Sequence, residues 1–297
     1  MVENKSQKLF LKFISYILMI FTALVCLVPF MIVISASFSG ESELIKYGYG
    51  IFPKGATLDA YRVVMRTKKA LLNAYGITIF TTAVGSFLSI LITCLTAYPL
   101  SRRDYKHRTV LSFYFYFTML FSGGTIPSYI LISQYLHLKN NILVLIIPLL
   151  LNVYNVFLIR TYFSQLNSAM IEAAKIDGAG ELYTFFKIVI PVCKTGIATV
   201  LLLICLTYWN EWYQCLMYMT KEKNITLQYY LYKIMSNVDL LTKNTTAATT
   251  VSIDVSKLPS ETARMAICVL AAGPMVFLFM FFQKYFVKGI SVGSVKG

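Results

Sequence analysis

The polar residues with the clearest chemical potential lie between positions 172 and 191 of an otherwise apolar chain. Glu172 and Asp177 are carboxylates that can pair with basic groups, and Gly178 can adopt the backbone angles of a tight turn. Pro191 then allows the chain to change direction. Small side chains that permit close approach stand beside them, namely Ala173, Ala174 and Ala179. Such a short helix with a glycine turn predicts either insertion into a groove of a partner protein or a helix–turn–helix that lies on a membrane.

A second group of chemically able residues is the run Trp209-Asn210-Glu211. It places a carboxylate inside an apolar segment, and an ionisable group within a membrane indicates a functional site. Aromatic rings beside hydrogen-bonding groups could face a solute in a translocation pathway. The alternative is an interfacial aromatic belt in which the carboxylate reaches headgroup water.

A third group, Gly123 and Gly124 followed by Pro127, interrupts another apolar segment. A backbone break at membrane depth is tolerated only where protein or a water-filled cavity covers it. We therefore interpret this run either as a lining of the pathway or as a kink packed against neighbouring helices.

The elements that must position these residues are membrane-spanning helices. Only 13% of the 297 residues are charged, against about 25% in soluble domains, and 57% are hydrophobic. Long unbroken apolar runs favour helices over a barrel. The apolar runs predict six spans of about 20 residues each, with a polar loop at 163–194 and outer loops at 37–72 and 220–263. The spans are 12–36, 73–98, 109–132, 142–162, 195–219 and 264–283.

The distribution of basic residues predicts the orientation. The short loop after the second span holds Arg102, Arg103, Lys106 and Arg108, whereas the loop after the third holds only Lys139. Basic residues in short loops favour the cytoplasmic side. We therefore expect both termini and the 163–194 loop in the cytoplasm of a bacterial cell, and the first apolar run is too long for a cleaved signal peptide.

Several function classes are disfavoured by the sequence. The net charge of +14 is interpreted as loop and headgroup-level Lys and Arg, so we expect membrane lipid and no nucleic acid as a partner. The chain has no phosphate-binding G-x-x-x-x-G-K-[ST] loop. Six cysteines without a C-x-x-C pair indicate buried apolar residues and no metal site.

The segment from 172 to 191 resembles the "EAA" loop of permease subunits in ABC importers. The chain supplies Glu172-Ala173-Ala174, then Gly178, then Pro191, and its Asp177-Gly178-Ala179 core is similar to that of sugar permeases. The resemblance implies an all-α integral membrane protein with six transmembrane helices and the ABC importer permease (MetI-like) fold. It also implies that Glu172 pairs with a basic residue of a separate ATPase and that Gly178 forms the turn.

The C-terminal segment is similar to the tail of the maltose-type permease subunit, which reaches between two ATPase subunits. On this resemblance Gly293, Val295, Lys296 and Gly297 contact the ATPase, whereas a frayed basic tail is the alternative. The implied partners are a second homologous permease, two ATP-binding subunits, an extracytoplasmic solute-binding protein and a carbohydrate, in the first instance an oligosaccharide. ATP and Mg would bind to the partner ATPase, so this chain is expected to hold no cofactor and to be no enzyme.

Three rival functions remain at this stage. An ion-coupled secondary transporter would use Glu211 as its ionisable group. A permease for a non-sugar solute would share the same loop. A membrane scaffold without transport would tolerate changes at Glu172 and Gly178.

Overall fold

The computed structural model describes residues 5–66, 68–243 and 261–294, and the regular structure in these ranges is helical. Single turns of 3-10 or π-helix lie at Leu131–Tyr135, Ile142–Leu145, Ile147–Leu149, Phe185–Val189 and Glu222–Asn224. The α-helices are α1 (Lys5–Ser37), α2 (Glu41–Tyr47), α3 (Asp59–Arg66), α4 (Lys68–Ser101), α5 (Arg108–Leu120), α6 (Thr125–Ile130), α7 (Val153–Ser164), α8 (Ser168–Ile176), α9 (Glu181–Thr184), α10 (Ile190–Val192), α11 (Lys194–Trp209), α12 (Tyr213–Tyr218), α13 (Leu227–Lys243) and α14 (Glu261–Ser294).

The helices fit about six membrane spans. Three stretches are long and apolar enough to cross a membrane alone: Leu9–Ser37, Lys68–Ser101 and Glu261–Phe281. Three more spans arise if each bent pair of helices counts as one. The pairs are Arg108–Leu120 with Thr125–Tyr135, Ile142–Leu149 with Val153–Ser164, and Glu181–Val192 with Lys194–Tyr218, bent by 106°, 48° and 84°. The six predicted segments lie on these six stretches, but three of them are broken rather than straight.

By contacts, the chain divides into two compact units, the first formed by residues 1–68 and 233–273. In this unit the predicted outer loop 37–72 contains α2 and α3. The carboxylate of Glu41 accepts hydrogen bonds from the backbone amides of Glu261 (2.9 Å) and Thr262 (3.0 Å), and from the Thr262 hydroxyl (2.7 Å). A side chain of α2 therefore caps the first turn of α14. Every residue of α1 from 9 to 27 is exposed, as expected where lipid or another subunit surrounds a span.

The second unit, residues 69–232 and 274–297, contains α4 to α12. Helix α4 buries a stripe of small and hydroxyl side chains, which lets neighbouring backbones approach closely. The stripe includes Thr78, Thr82, Ser86, Ser89, Thr93 and Ala97. At Gly85 the ring of Tyr208 lies so near that an added Cβ would stand 2.4 Å from it, and the Tyr208 hydroxyl donates to the Ile146 carbonyl at 3.0 Å. A glycine and a tyrosine thus hold α4 and α11 together.

The apolar core of the second unit joins the polar loop at 163–194 to the spans. It contains Cys94 and Leu100 of α4, Ile159 of α7, and Val200 of α11. Two loop segments contribute to the same cluster, through Ile171 of α8 and Phe185 of the π-turn after α9. The rings of Phe163 and Phe185 meet edge to face with centroids 6.4 Å apart. The loop is therefore packed directly against the membrane-spanning helices.

Candidate functional site

Helix α8 is a short helix that its own chain closes at both ends. The Asn167 side chain accepts a hydrogen bond from the Ala169 amide at 3.0 Å, which is an N-cap. At the other end Gly178 has a φ of +79°, and the Ala179 amide donates to the Ala174 carbonyl at 2.9 Å. This 6→1 bond and the positive φ define a Schellman motif, for which glycine is the favoured residue. Gly180 has an ordinary φ of −70°, so only the first glycine is needed for its backbone conformation.

The two faces of α8 differ in what they contact. Ile171 and Ala174 are buried against the core, whereas Glu172 and Ala173 are exposed. Glu172 forms no ion pair or side-chain hydrogen bond within the described part of the chain. Asp177 at the end of the helix is likewise exposed. The predicted carboxylates are therefore exposed, where a partner could meet them.

Two apolar residues that sequence reasoning missed flank these carboxylates. Met170 is 41% exposed and Ile176 is 85% exposed. Ile176 lies one turn after Glu172 and shares its side of the helix, whereas Met170, two residues before Glu172, lies on another side. The missed signal was that apolar residues occur around this helix, although a surface helix needs only one apolar stripe.

Lys175 links α8 to two other segments. Its Nζ lies 3.0 Å from Asp104 Oδ2, in the turn between α4 and α5, and 2.9 Å from Glu181 Oε1, on the far side of the Gly178 turn. We call these two contacts the Lys175 bridge. Hydrogen bonds from Arg102 and then from Lys175 lower the pKa of Asp104 to about 2, and the contacts with Glu181 and Asp104 raise the pKa of Lys175. All three groups are accordingly charged at neutral pH.

An open cavity of about 830 Å³ lies beside the bridge. Its lining includes Arg102 and Arg103 from the turn after α4, Arg108 at the start of α5, and Glu172 and Lys175 from α8. One cavity is thus bordered both by the basic residues after α4, from which we predicted the orientation, and by Glu172, from which we predicted docking. The sequence separates these two groups by more than 60 residues.

The segment after the turn directs the chain back into the apolar core. Phe185 and Val189 are buried, whereas Tyr183 and Phe186 are exposed. Pro191 is the second residue of α10, and the axis bends by 84° between Val192 and Lys194. The change of direction lies where the proline predicted it.

The Gly123–Gly124 run lies in the break between α5 and α6, where the axis turns by 106°. Gly124 has a φ of +87°, and Gly123, Gly124 and Pro127 are all exposed. The predicted interruption of the third span is therefore present. Within the part of the chain that the structure describes, this break lies at the surface.

The Trp209–Glu211 run lies at the break between α11 and α12, and the structure separates its members. Trp209 and Glu211 are buried, at 4% and 9% exposure, whereas Asn210 is exposed. The Glu211 carboxylate accepts from the Gln214 amide at the start of α12, and the Thr226 hydroxyl donates to the Glu211 carbonyl at 2.6 Å. Two exposed aromatic residues follow, Trp212 and Tyr213, and Trp212 stacks on Tyr232 with ring centroids 5.0 Å apart.

The predicted ATPase-contacting tail is only partly described. Gly293 lies in α14, which continues to Ser294, and Val295, Lys296 and Gly297 lie outside the described residues. Within residues 5–66, 68–243 and 261–294, no three His, Cys, Asp or Glu side chains are placed to hold a metal ion.

Comparison with known proteins identifies one family. The family model described as "Binding-protein-dependent transport system inner membrane component" matches residues 1–292. Two curated relatives come from Bacillus subtilis (strain 168). Protein LplC is 36% identical over 273 residues, which are 92% of this chain and 90% of that protein. The polygalacturonan/rhamnogalacturonan transport system permease protein YtcP is 36% identical over 275 residues, covering 93% and 94%.

A solved structure has the same fold. It is a chain from the crystal structure of a bacterial ABC transporter involved in the import of the acidic polysaccharide alginate. The TM-score is 0.79 at 30% sequence identity, covering 96% of this chain and 99% of that one. The likeness extends over the spans and the loop that bears α8.

Proposed function

The chain belongs to the family of binding-protein-dependent transport system inner membrane components, and from that premise we propose that its cargo is an oligosaccharide. It is a permease subunit of an ABC importer, a membrane protein and not an enzyme. The observation that supports this function is the family match over residues 1–292. An importer of this kind works with an ATPase, a partner permease and a binding protein. The finer composition that we propose is one second homologous permease, two ATP-binding subunits with ATP and Mg bound on them, and one extracytoplasmic solute-binding protein.

We assign the outward face of α8 to the ATPase. Glu172 would pair with a basic residue of that subunit, with Ile176 in an apolar groove beside it. Closure of the ATPases on ATP would push α8, and the core contacts of Ile171 and Phe185 would transmit that movement to the spans. Alternating access to the pathway would follow. The tail from Gly293 onward would contact the same ATPases.

The second permease would cover the break at Gly123 and Gly124. The support is that this break is exposed in the isolated chain, whereas backbone groups inside lipid need protein or a water-filled cavity around them. Pro127 and the exposed Asn210 would lie near the shared pathway. Trp209 and Glu211 are buried and would act on it only by shaping the 209–213 break.

We also propose that both termini and the 163–194 loop are cytoplasmic. The support is the cluster of basic residues in the turn after α4, next to α8. A single cysteine introduced at Ile176 into a chain without other reactive thiols, expressed without the ATPase that would cover this residue, should react with a membrane-impermeant maleimide only in inside-out vesicles. Reaction in right-side-out vesicles would reverse the orientation.

The cargo proposal is supported by the names of relatives. One is named for polygalacturonan and rhamnogalacturonan, others for arabinooligosaccharides, and the similar structure is of an importer of an acidic polysaccharide. A non-sugar solute remains the second candidate within the family. Ion-coupled transport has less support, because the buried carboxylate of Glu211 already accepts a backbone hydrogen bond.

The test is an affinity purification of this chain from gently solubilised native membranes, followed by uptake assays in proteoliposomes with the recovered partners and binding protein. Co-purification of an ATPase and a second permease, with ATP-dependent uptake of labelled oligosaccharides, is the expected result. A comparison of the uptake of uronate-containing and neutral oligosaccharides of equal length would identify the chemical class of the cargo. Uptake that follows an ion gradient without ATP would contradict the proposal.

A further inference from the structure

The Gly178 turn separates α8 from α9, and the Lys175 bridge crosses that turn. Lys175 lies three residues before the glycine, and Glu181 lies three residues after it. Their ion pair at 2.9 Å fixes the two helices of the loop relative to one another. The second ion pair, at 3.0 Å to Asp104, fixes α8 to a segment that is 71 positions earlier in the chain.

Both acidic partners of Lys175 are themselves held by the end of α4. Arg102 donates from Nε and Nη2 to the two oxygens of Asp104, at 3.1 and 3.2 Å. Tyr98 donates from its hydroxyl to Glu181 Oε2 at 2.8 Å. The Lys175 bridge thus reaches α4 by two routes, one on each side of the Gly178 turn.

The bridge adds directional contacts to the apolar core of the loop. Ile171 and Phe185 pack in a core that includes residues of α4, α7 and α11, but apolar packing is itself non-directional. Paired charges at Asp104 and Glu181 fix the direction in which α8 points. We propose that Lys175 is a positioning residue that sets the angle of α8 relative to α4, so that force on α8 moves α4 together with the loop. This inference rests on the proposed docking of α8 to an ATPase.

The energetics of the bridge fit a role in coupling and not in folding. The side chains of Lys175, Asp104 and Glu181 are 40%, 54% and 57% exposed. Exposed ion pairs contribute little to stability. Removal of Lys175 should therefore leave the chain folded and the ATPase bound, while the movement passed to α4 is reduced.

The experiment compares three variants of the complete importer in proteoliposomes: Lys175→Met, Lys175→Arg and Lys187→Met. The measured quantity is solute taken up per ATP hydrolysed. For Lys175→Met we expect the assembled complex and its ATP hydrolysis to persist, and uptake per ATP to fall by about fivefold or more. Lys175→Arg keeps a donor for both carboxylates and should restore the ratio. Lys187 is an exposed lysine of the same loop without an ion pair in the described part of the chain, so Lys187→Met should match the wild type.

A double variant tests the route. If Lys175 acts through Asp104, adding Asp104→Asn to Lys175→Met should produce no further loss. The proposal is overturned if Lys175→Met keeps the wild-type ratio, or if it prevents the ATPase from binding, because Lys175 would then serve docking or folding. If purification of the wild-type chain recovers no ATPase, the proposed function itself is refuted. This outcome is seen before any variant is made and is therefore distinct from a failure of the Lys175 proposal.

Discussion

Two carboxylates stood out in the sequence, and the structure places them in opposite surroundings. Glu172, on α8, is exposed beside exposed apolar side chains and has no ion pair in the described part of the chain. Glu211, at the break between α11 and α12, is buried and accepts a hydrogen bond from the backbone amide of Gln214. The first therefore remains available to a partner, whereas the second already serves the fold.

The free-energy cost of placing a carboxylate in an apolar segment therefore does not by itself show whether that carboxylate stabilises the fold or binds a partner. A carboxylate in an apolar segment indicates a functional site because it is expensive to place there. In this chain the Gln214 amide offsets that cost at Glu211, and the result is a fixed bend. Placing the exposed Glu172 costs the isolated chain little, so its proposed role is inferred from its exposure and from the exposed Ile176 one turn after it.

The largest effect is expected from reversing the charge on α8. Glu172→Lys should lower uptake by about a hundredfold and prevent co-purification of the ATPase, because a basic partner would now face a lysine. Glu172→Gln should give a smaller loss. Uptake and ATPase recovery are measured at equal amounts of permease in the membrane. Wild-type uptake by Glu172→Lys would refute the docking of this face.

Removing the buried carboxylate of Glu211 should lower the stability of the folded protein. Glu211→Ala leaves the Gln214 amide without its acceptor, which should cost about 1–3 kcal/mol and lower the midpoint of thermal unfolding of the purified complex. Glu211→Gln keeps an oxygen acceptor and serves as the matched control. If Glu211→Gln abolished uptake at unchanged unfolding temperature, the charge itself would be functional and the contrast with Glu172 would fail.

A smaller effect distinguishes the two glycines of the loop. Gly178→Ala should destabilise the turn by about 1–2 kcal/mol, because a Cβ disfavours the left-handed conformation at φ +79°. Gly180→Ala should be nearly neutral, since its φ is −70° and no atom would lie within 4 Å of the added Cβ. Thermal unfolding and limited proteolysis of the loop measure both. Equal effects would contradict the Schellman assignment.

The Lys175 bridge should not respond to pH in the physiological range. The pKa of Asp104 is lowered from 3.8 to about 2, so its contribution is present above about pH 4 and is lost as the pH falls further. The pKa of Lys175 is raised above 10.5, so its contribution is lost only at higher pH. The difference in unfolding temperature between wild type and Lys175→Met should therefore be constant from about pH 5 to 9. If the difference in unfolding temperature between the wild type and Lys175→Met changed near pH 7, the prediction that the bridge stays charged in this range would be wrong.

The membrane class, the six apolar segments and the α8 turn could be predicted from the sequence, because each depends on local composition. Asn167, Gly178 and Pro191 are local signals whose geometry follows from residue type. The sharp bends could be predicted less completely from the sequence. Gly124 and Pro127 indicated the break after α5, but the angle of 106° depends on packing.

The long-range contacts could not be predicted from one sequence. Asp104 and Lys175 are separated by 71 positions, and any of the three lysines of the 163–194 loop could have been the bridging residue. The burial of Glu211 was missed because its acceptor role depends on how α12 begins. The exposure of Ile176 could not be predicted either. Hydrophobic periodicity identifies an apolar face, but it does not show whether that face packs on the core of this chain or is left for a partner to cover.

The cap that Glu41 places on α14 has a consequence for the order of biogenesis. It joins residues 220 positions apart, so it forms only when the last helix has left the ribosome. At translation rates of about 5–20 residues per second, that delay is roughly 10–45 s. Chains released early would lack this closing contact.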